Sequence, residues 1–207
     1  HHRWQLHAIA ALHAHRPEMV LGFEMFPRRV QPVLDRWVQG KLGEAQFLRD
    51  VAWSEIWGSD AALYLPLFHF ARMHRIAMRA LNVDRGVSRR VAGEGLAAVT
   101  GAAREGVGDP EPATPDYRTR LVSVFALHRH AGSAADGDSP AFQRFVEAQL
   151  LWDRAMAEAI AGAVRDPRRP LVVAIMGRGH VEHRHGVPHQ LKALGIHDVG
   201  VALPWPA

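Results

Sequence analysis

Cysteine is absent from the 207 residues, which excludes disulfides, thiolate metal sites and cysteine nucleophiles and leaves the redox compartment open. Tyrosine is almost absent, with Tyr64 and Tyr117 the only two. No apolar run reaches the ~18 residues needed to cross a bilayer, so no transmembrane segment is expected. A strong charge imbalance is lacking too. The formal net charge is +4, and the basic residues, nearly all arginine, are spread along the chain with no run that would line a nucleic-acid groove. No nucleic-acid partner is expected. What remains is 48% hydrophobic content with both charge signs present, the composition of an ordinary globular chain long enough for one substantial core. A single domain over 1–207 is the expectation.

The most informative stretch is 171–180. Leu171, Val172, Val173, Ala174, Ile175 and Met176 form an unbroken apolar run that stops at Gly177, Arg178, Gly179 and His180. Apolarity without alternation suits a buried parallel strand covered on both faces. The glycines allow a tight turn, and His180 then stands at the carboxyl end of the strand, where open α/β sheets place their chemistry. His183, His185 and His189 follow closely and read as a solvated basic turn.

Residues 1–16 have helical periodicity, stopped by Pro17. Residues 19–26 repeat the buried-strand pattern with a single carboxylate, Glu24, near the carboxyl end. A charge there is costly unless paired or liganded, so Glu24 is a site candidate or the member of a structural ion pair. Val30, Val33, Leu34, Trp37 and Val38 fall at helical spacing before Gly40, and a second short helix carries Phe47, Leu48 and Val51. We take roughly 28–60 as a helical insertion covering one end of the sheet, with Trp53 and Trp57 as its packing core. Asp60 can cap a longer helix with Leu63, Leu67, Phe70 and Ala71 on one face. Residues 75–82 read as a third strand ending at Asn82, and Ser88 can start the next helix.

Residues 101–115 read as a surface linker. A helix is expected over 117–131, with His128 and His130 facing different sides, then a loop over 132–138. Ser139 and Pro140 open a long helix on which Gln149, Asp153 and Met156 share a face. A buried Gln and Asp need partners, either backbone groups of the site loops or each other. A short helix from Pro188 to Gly195 and a last strand over 199–203 close the chain. The expected fold class is α/β: a mainly parallel sheet flanked by helices on both faces, with a smaller helical insertion.

Several motifs in order carry a family resemblance: His1-His2-Arg3-Trp4-Gln5, Leu21-Gly22-Phe23-Glu24-Met25-Phe26, Trp57 with Tyr64-Leu65-Pro66-Leu67, Ala80-Leu81-Asn82-Val83, Gln149 with Trp152-Asp153 and Met156-Ala157, and Gly177-Arg178-Gly179-His180 with Gly186-Val187-Pro188. In these the chain resembles the ChaN-like haem-binding family of the erythromycin-esterase and Tiki or TraB superfamily. The resemblance implies a parallel sheet with a smaller helical part. It also implies an envelope lipoprotein of iron or haem uptake, periplasmic or lipid-anchored, that binds haem as face-to-face pairs between two protomers. Members of the family have a first strand ending in Gly-Glu-x-His-Asp before the paired histidines. This sequence lacks that element, so it is expected to lack the amino-terminal strand together with any signal peptide or lipid-bearing cysteine.

Two functions follow. A haem-binding protein, the preferred and non-enzymatic reading, needs an axial ligand, an apolar slot and cations for the propionates. Tyrosine is the ligand the resemblance implies, which leaves Tyr64 or Tyr117. Tyr64 reads equally as a helix residue packing beside Pro66 with its hydroxyl at the surface, and histidine could substitute. Arg178 and His180 suit the propionates, and a homodimer on haem binding is expected. The alternative is a metal-dependent esterase or peptidase, with Glu24 and His180, and His1 or His2, around a divalent cation that activates water. In the hydrolytic branch of the superfamily two Gly-x-x-His elements build that centre, and only the one at 177–180 is present here. On the haem reading and its rival alike, Glu24, Asn82 and His180 are expected to converge at the strand ends.

Overall fold

The computed structural model of the chain describes residues 2–128 and 137–204, with the side chain of His128 left out. His1, His130 and most of the loop expected at 132–138 lie outside the described residues. The elements run α1 (His2–His15), β1 (Met19–Pro27), α2 (Gln31–Val38), α3 (Glu44–Asp50), α4 (Trp53–Ile56), α5 (Leu65–Met73), β2 (Ala77–Asn82), α6 (Arg85–Glu94), α7 (Pro115–His128), α8 (Pro140–Val164), β3 (Leu171–Ile175) and α9 (Val187–Ala193). Prolines start several helices. Pro32, Pro66 and Pro188 each sit in the first turn of α2, α5 and α9, where a missing N–H costs no bond and φ is already helical. Ser139 Oγ accepts the N–H of Phe142 at 3.3 Å as α8 begins, the cap expected there.

The fold is α/β, with a parallel three-stranded sheet in the order β2-β1-β3 flanked by helices. All three expected strands with continuous apolar runs lie in this one sheet. β1 pairs with β2 from Val20↔Ala77 to Phe23↔Ala80, and with β3 from Met19↔Leu171 to Phe23↔Ile175. The carboxyl ends therefore share one edge. β1 is central and buried at all nine positions, whereas β3 is only half-buried at four of its five. The unbroken apolarity of 171–176 overstated its burial because β3 borders a single strand among the described residues.

The fourth strand expected over 199–203 does not form: the described backbone there makes no ladder. Its apolar residues alternate around Gly200 and run into Pro204, which cannot donate to a sheet. The Val199 carbonyl instead accepts from the Arg184 guanidinium at 3.0 Å. Asp60 caps a three-residue 3-10 turn, Ala61–Leu63, rather than the long helix, which begins at Leu65. Leu63 consequently points outward and is half exposed. Asp84, not Ser88, caps α6, accepting the Gly86 N–H at 3.3 Å.

The chain forms two compact units. One comprises the residues up to Asn82 with Ala159–Gly177, and the other Val83–Glu158 with Arg178–Val201. In the first, residues 28–56 are wound into α2 to α4, and their apolar faces meet α5 and β1 in an aromatic core of Phe23, Phe26, Trp37, Phe47, Trp53 and Phe68. The indole N–H groups in this core are matched: Trp37 donates to Phe68 O at 2.9 Å and Trp53 to Ser59 O at 2.7 Å.

The second unit packs two apolar clusters onto α8. Val87, Val91, Val99 and Val107 meet Ala148, Leu151 and Ala155. Tyr117, Leu121 and Phe125 meet Phe142, Val146 and Leu150. The segment expected to be a loose linker is pinned here. Arg104, buried in a 3-10 turn, donates to the carbonyls of Val99 and Leu96 and to Asp109. Gln190 completes the attachment by exchanging two 2.8 Å bonds with the Glu111 backbone.

Candidate functional site

Glu24 lies just past the last regular pair of β1, where the β1–β2 register breaks between Phe23 and Pro27. That irregularity and the turn after β3 bring the Gly177 N–H to Glu24 Oε2 at 2.5 Å, and Asn82 donates its side-chain amide to the Glu24 carbonyl at 3.2 Å. Glu24 and Asn82 are both 5% exposed. A backbone N–H on the carboxylate offsets part of the cost of burying its charge. Glu24 and Asn82 thus meet within the first unit, while His180 belongs to the second.

Tyr64 is the second feature of the first unit. It stands immediately before α5, and the 3-10 turn capped by Asp60 brings it back over α4. Its hydroxyl is not directed outward beside Pro66: the residue is 8% exposed, and its oxygen accepts the indole N–H of Trp57 at 2.9 Å. Around the phenol ring lie His2 at 4.2 Å, Trp53 at 5.3 Å and Phe68, stacked at 6.5 Å between centroids. His2 is oriented by Gln5, whose side-chain oxygen lies 3.0 Å from Nδ1. The result is an oxygen already used as an acceptor, set in an aromatic wall.

In the second unit the organising group is Asp153, which is completely buried on α8. Oδ2 accepts the Tyr117 hydroxyl at 2.8 Å from α7, and Oδ1 lies 2.6 Å from His180 Nδ1. Gln149, one turn earlier on α8, is 3.1 Å from the same imidazole nitrogen. Burial, followed by the charge of Asp153, pushes the Tyr117 phenol well above its ordinary range, so its hydroxyl stays a donor. Gly186 allows the approach: at φ +61° its backbone passes so close that a Cβ would sit 2.6 Å from the His180 carbonyl and 3.0 Å from both Asp153 oxygens.

The Arg178 guanidinium is paired with Glu182, which also takes Arg120 from α7. Hydrogen bonding from Arg178, with Arg120 behind it, holds the Glu182 carboxyl below the usual range. His185, expected in a solvated turn, stacks on Tyr117 with centroids 5.3 Å apart, and burial first and His183 next lower its pKa. His189 contacts the Pro112 carbonyl at 2.9 Å.

The four expected haem residues therefore divide. Tyr64 is in the first unit; Tyr117 and His180 meet through Asp153 in the second, and Arg178 is held by Glu182. Half-buried Gln149 and buried Asp153 share the imidazole of His180, 27 residues away in sequence from Asp153, and Asp153 also takes the Tyr117 hydroxyl. Arg120 and Glu182 were not singled out from the sequence. Their only trace is spacing: Arg120 lies three residues after Tyr117 on one helix face, and Glu182 four after Arg178. Packing accounts for only part of Trp57, whose polar edge meets the Tyr64 hydroxyl. Among the described residues no group of three or more His, Asp and Glu side chains is placed to hold a metal ion, and the divalent-metal alternative at His2, Glu24 and His180 has no support. His1, its remaining proposed ligand, lies outside the described residues.

Comparison with known proteins gives three results. The family described as haem-binding uptake, Tiki superfamily, ChaN, matches residues 1–191. No curated protein matches. Among solved structures, the chain is similar to one described as "Cofacial heme binding to ChaN of Campylobacter jejuni", with 15% sequence identity and a TM-score of 0.59, over 86% of this chain. The chain spans 64% of the length of that structure, and at this identity the likeness concerns the fold.

Proposed function

Since the chain belongs to the haem-binding uptake family of the Tiki superfamily, ChaN, we propose that it binds haem, with Tyr64 as the axial ligand. The observation that carries this choice is the contrast between the two tyrosines. The Tyr64 oxygen accepts a hydrogen bond and is walled by apolar rings, whereas the Tyr117 oxygen is committed as a donor to a buried carboxylate. When bound, haem supplies a ferric iron that takes an anionic oxygen ligand and a flat macrocycle that takes an apolar wall. Tyr64 releases its phenol proton to water and presents the oxygen. Trp53, Phe68 and His2 hold the ring and keep water from its face. His180 and Arg178 keep to the polar networks of their own unit.

The fold neighbour is described as binding haem cofacially, and the same arrangement is proposed for this chain: two protomers stack their haems so that each outer face is buried in a closed two-fold contact. A role in haem or iron uptake, and a place in the cell envelope, are part of the same proposal.

Haem titration tests it. A Soret band should rise to saturation at one haem per chain, and sedimentation should show the mass doubling with it, because a ligand that favours the dimer stabilises it by mass action. Tyr64→Phe should abolish the tyrosinate-to-iron charge-transfer band and weaken dimerisation, while Tyr117→Phe leaves both intact. Tight haem binding that survives Tyr64→Phe unchanged would refute the ligand. A monomer at saturating haem would refute the cofacial pair.

A further inference from the structure

Resting on the reading of Tyr64 as the haem ligand, we infer that Trp57 is a positioning residue that sets the electron-donating strength of the Tyr64 oxygen. Trp57 caps the carboxyl end of α4, and the chain then reverses through Gly58 at φ +72° and the Asp60-capped turn to reach Tyr64 seven residues later. The reversal sets the indole edge against the phenol, with the rings at 89° and the Nε1–H 2.9 Å from the hydroxyl oxygen.

The other indoles of this core use their N–H groups on backbone carbonyls. Trp37 bonds Phe68 O, and Trp53 bonds Ser59 O and thereby pins the very loop that carries Trp57 toward Tyr64. Holding the loop is thus already the work of Trp53. Trp57 addresses an ionisable side chain instead. An indole N–H is a donor only, so it can neither take the phenol proton nor compete for the iron. It occupies one lone pair of the oxygen and leaves the position vacated by the proton for ligation. Hydrogen bonds to an ionised acceptor are roughly twice as strong as neutral ones, so this contact strengthens when Tyr64 becomes phenolate. It also draws charge from the ligand oxygen. Trp57 is partly buried, and the lower local dielectric strengthens the bond.

The full chain loaded with ferric haem provides the test, comparing wild type, Trp57→Phe, Trp57→His and Tyr64→Phe by absorption spectrum and by midpoint potential, with thermal unfolding of each apoprotein alongside. Trp57→Phe should retain haem, move the tyrosinate-to-iron band to longer wavelength and lower the midpoint potential, since the oxygen becomes the stronger donor. Trp57→His, which restores an N–H, should move both back toward wild type whatever it does to the melting temperature. A merely structural Trp57 would change the melting temperature and leave band and potential in place, and that result overturns the inference.

The two levels separate cleanly. If Tyr64→Phe removes the band while Trp57→Phe leaves it unmoved, the ligand stands and the role of Trp57 falls. If Tyr64→Phe leaves the wild-type spectrum, it is the ligand assignment that falls, and the inference with it. Should Trp57→Phe fail to fold, the wild-type holoprotein decides through resonance Raman spectra in H2O and D2O. Exchange of the indole proton should shift the tyrosinate C–O vibration, and an unshifted vibration overturns the inference.

Discussion

Tyr117→Phe deletes one oxygen from the buried network of the second unit and leaves the ring that packs against Leu121 and Phe142 in place. The deleted hydroxyl donates to Asp153 Oδ2 at 2.8 Å, and Asp153 is 0% exposed. The void left is smaller than a water molecule, so the carboxylate loses that donor without replacement. A hydrogen bond to a charged group is worth ~1.5–3 kcal/mol, and complete burial places this one in the upper part of the range, at about 2–3 kcal/mol. In a chain of this length each kcal/mol lowers the melting temperature by about 2–4 °C, which makes the expected fall roughly 4–12 °C. Urea unfolding of wild type and variant at pH 7, with unchanged m-value, reads the difference directly. In an Asp153→Asn background the same substitution should cost at least ~1 kcal/mol less, because the acceptor is no longer charged. A loss below ~0.5 kcal/mol, or equal losses in both backgrounds, would refute a buried charge-assisted bond. Lowered haem affinity at unchanged stability would show instead that Tyr117 is the ligand.

Gly186→Ala should be the more damaging change, at about 3 kcal/mol or more, since a left-handed φ with ψ −119° is a glycine conformation and the new Cβ meets the His180 backbone at 2.6 Å; a urea midpoint within experimental error of wild type would rule out so close an approach. Glu182→Gln should lower stability at neutral pH and make it less dependent on acid. The Glu182 pKa is depressed in the folded chain by Arg178 and then Arg120, so its contribution is fully present above the ordinary carboxyl range near 4.5 and is lost as pH falls through the depressed value. The gap between wild type and variant in urea midpoint should therefore be constant from pH 7 to about 5 and narrow steadily as pH falls below about 4.5; a gap that does not narrow at all between pH 5 and about 3 contradicts the assignment.

Residues 19–26, 75–82 and 171–176 were legible as strands of one sheet because continuous apolar runs separated by helical segments admit few other arrangements. The family was legible because its motifs keep their order along the chain. Local chemistry was legible where partners are close in sequence, as at Ser139 and Phe142. It failed at Asp60, where the cap was right and the element behind it a single 3-10 turn. It failed again at 199–203, where Gly200 and Pro204 interrupt the apolar run and the described backbone joins no ladder. A strand is completed by its neighbour, and one-dimensional pattern carries no information about which edges are filled.

The candidate site divides along the same line. Composition left two tyrosines for the ligand that the family resemblance implies and excluded thiolates, and the sequence pattern marked Glu24, Asp153 and His180 as polar groups in apolar surroundings that must find partners. Which tyrosine can present an acceptor oxygen was decided only in three dimensions. Tyr64 and Tyr117 are the same side chain, and they differ because one meets an indole donor folded back by the turn at Gly58 while the other meets a carboxylate from a different helix. Whether a phenol gives or receives a hydrogen bond depends on what stands opposite its oxygen, and in both cases tertiary packing brought that group there.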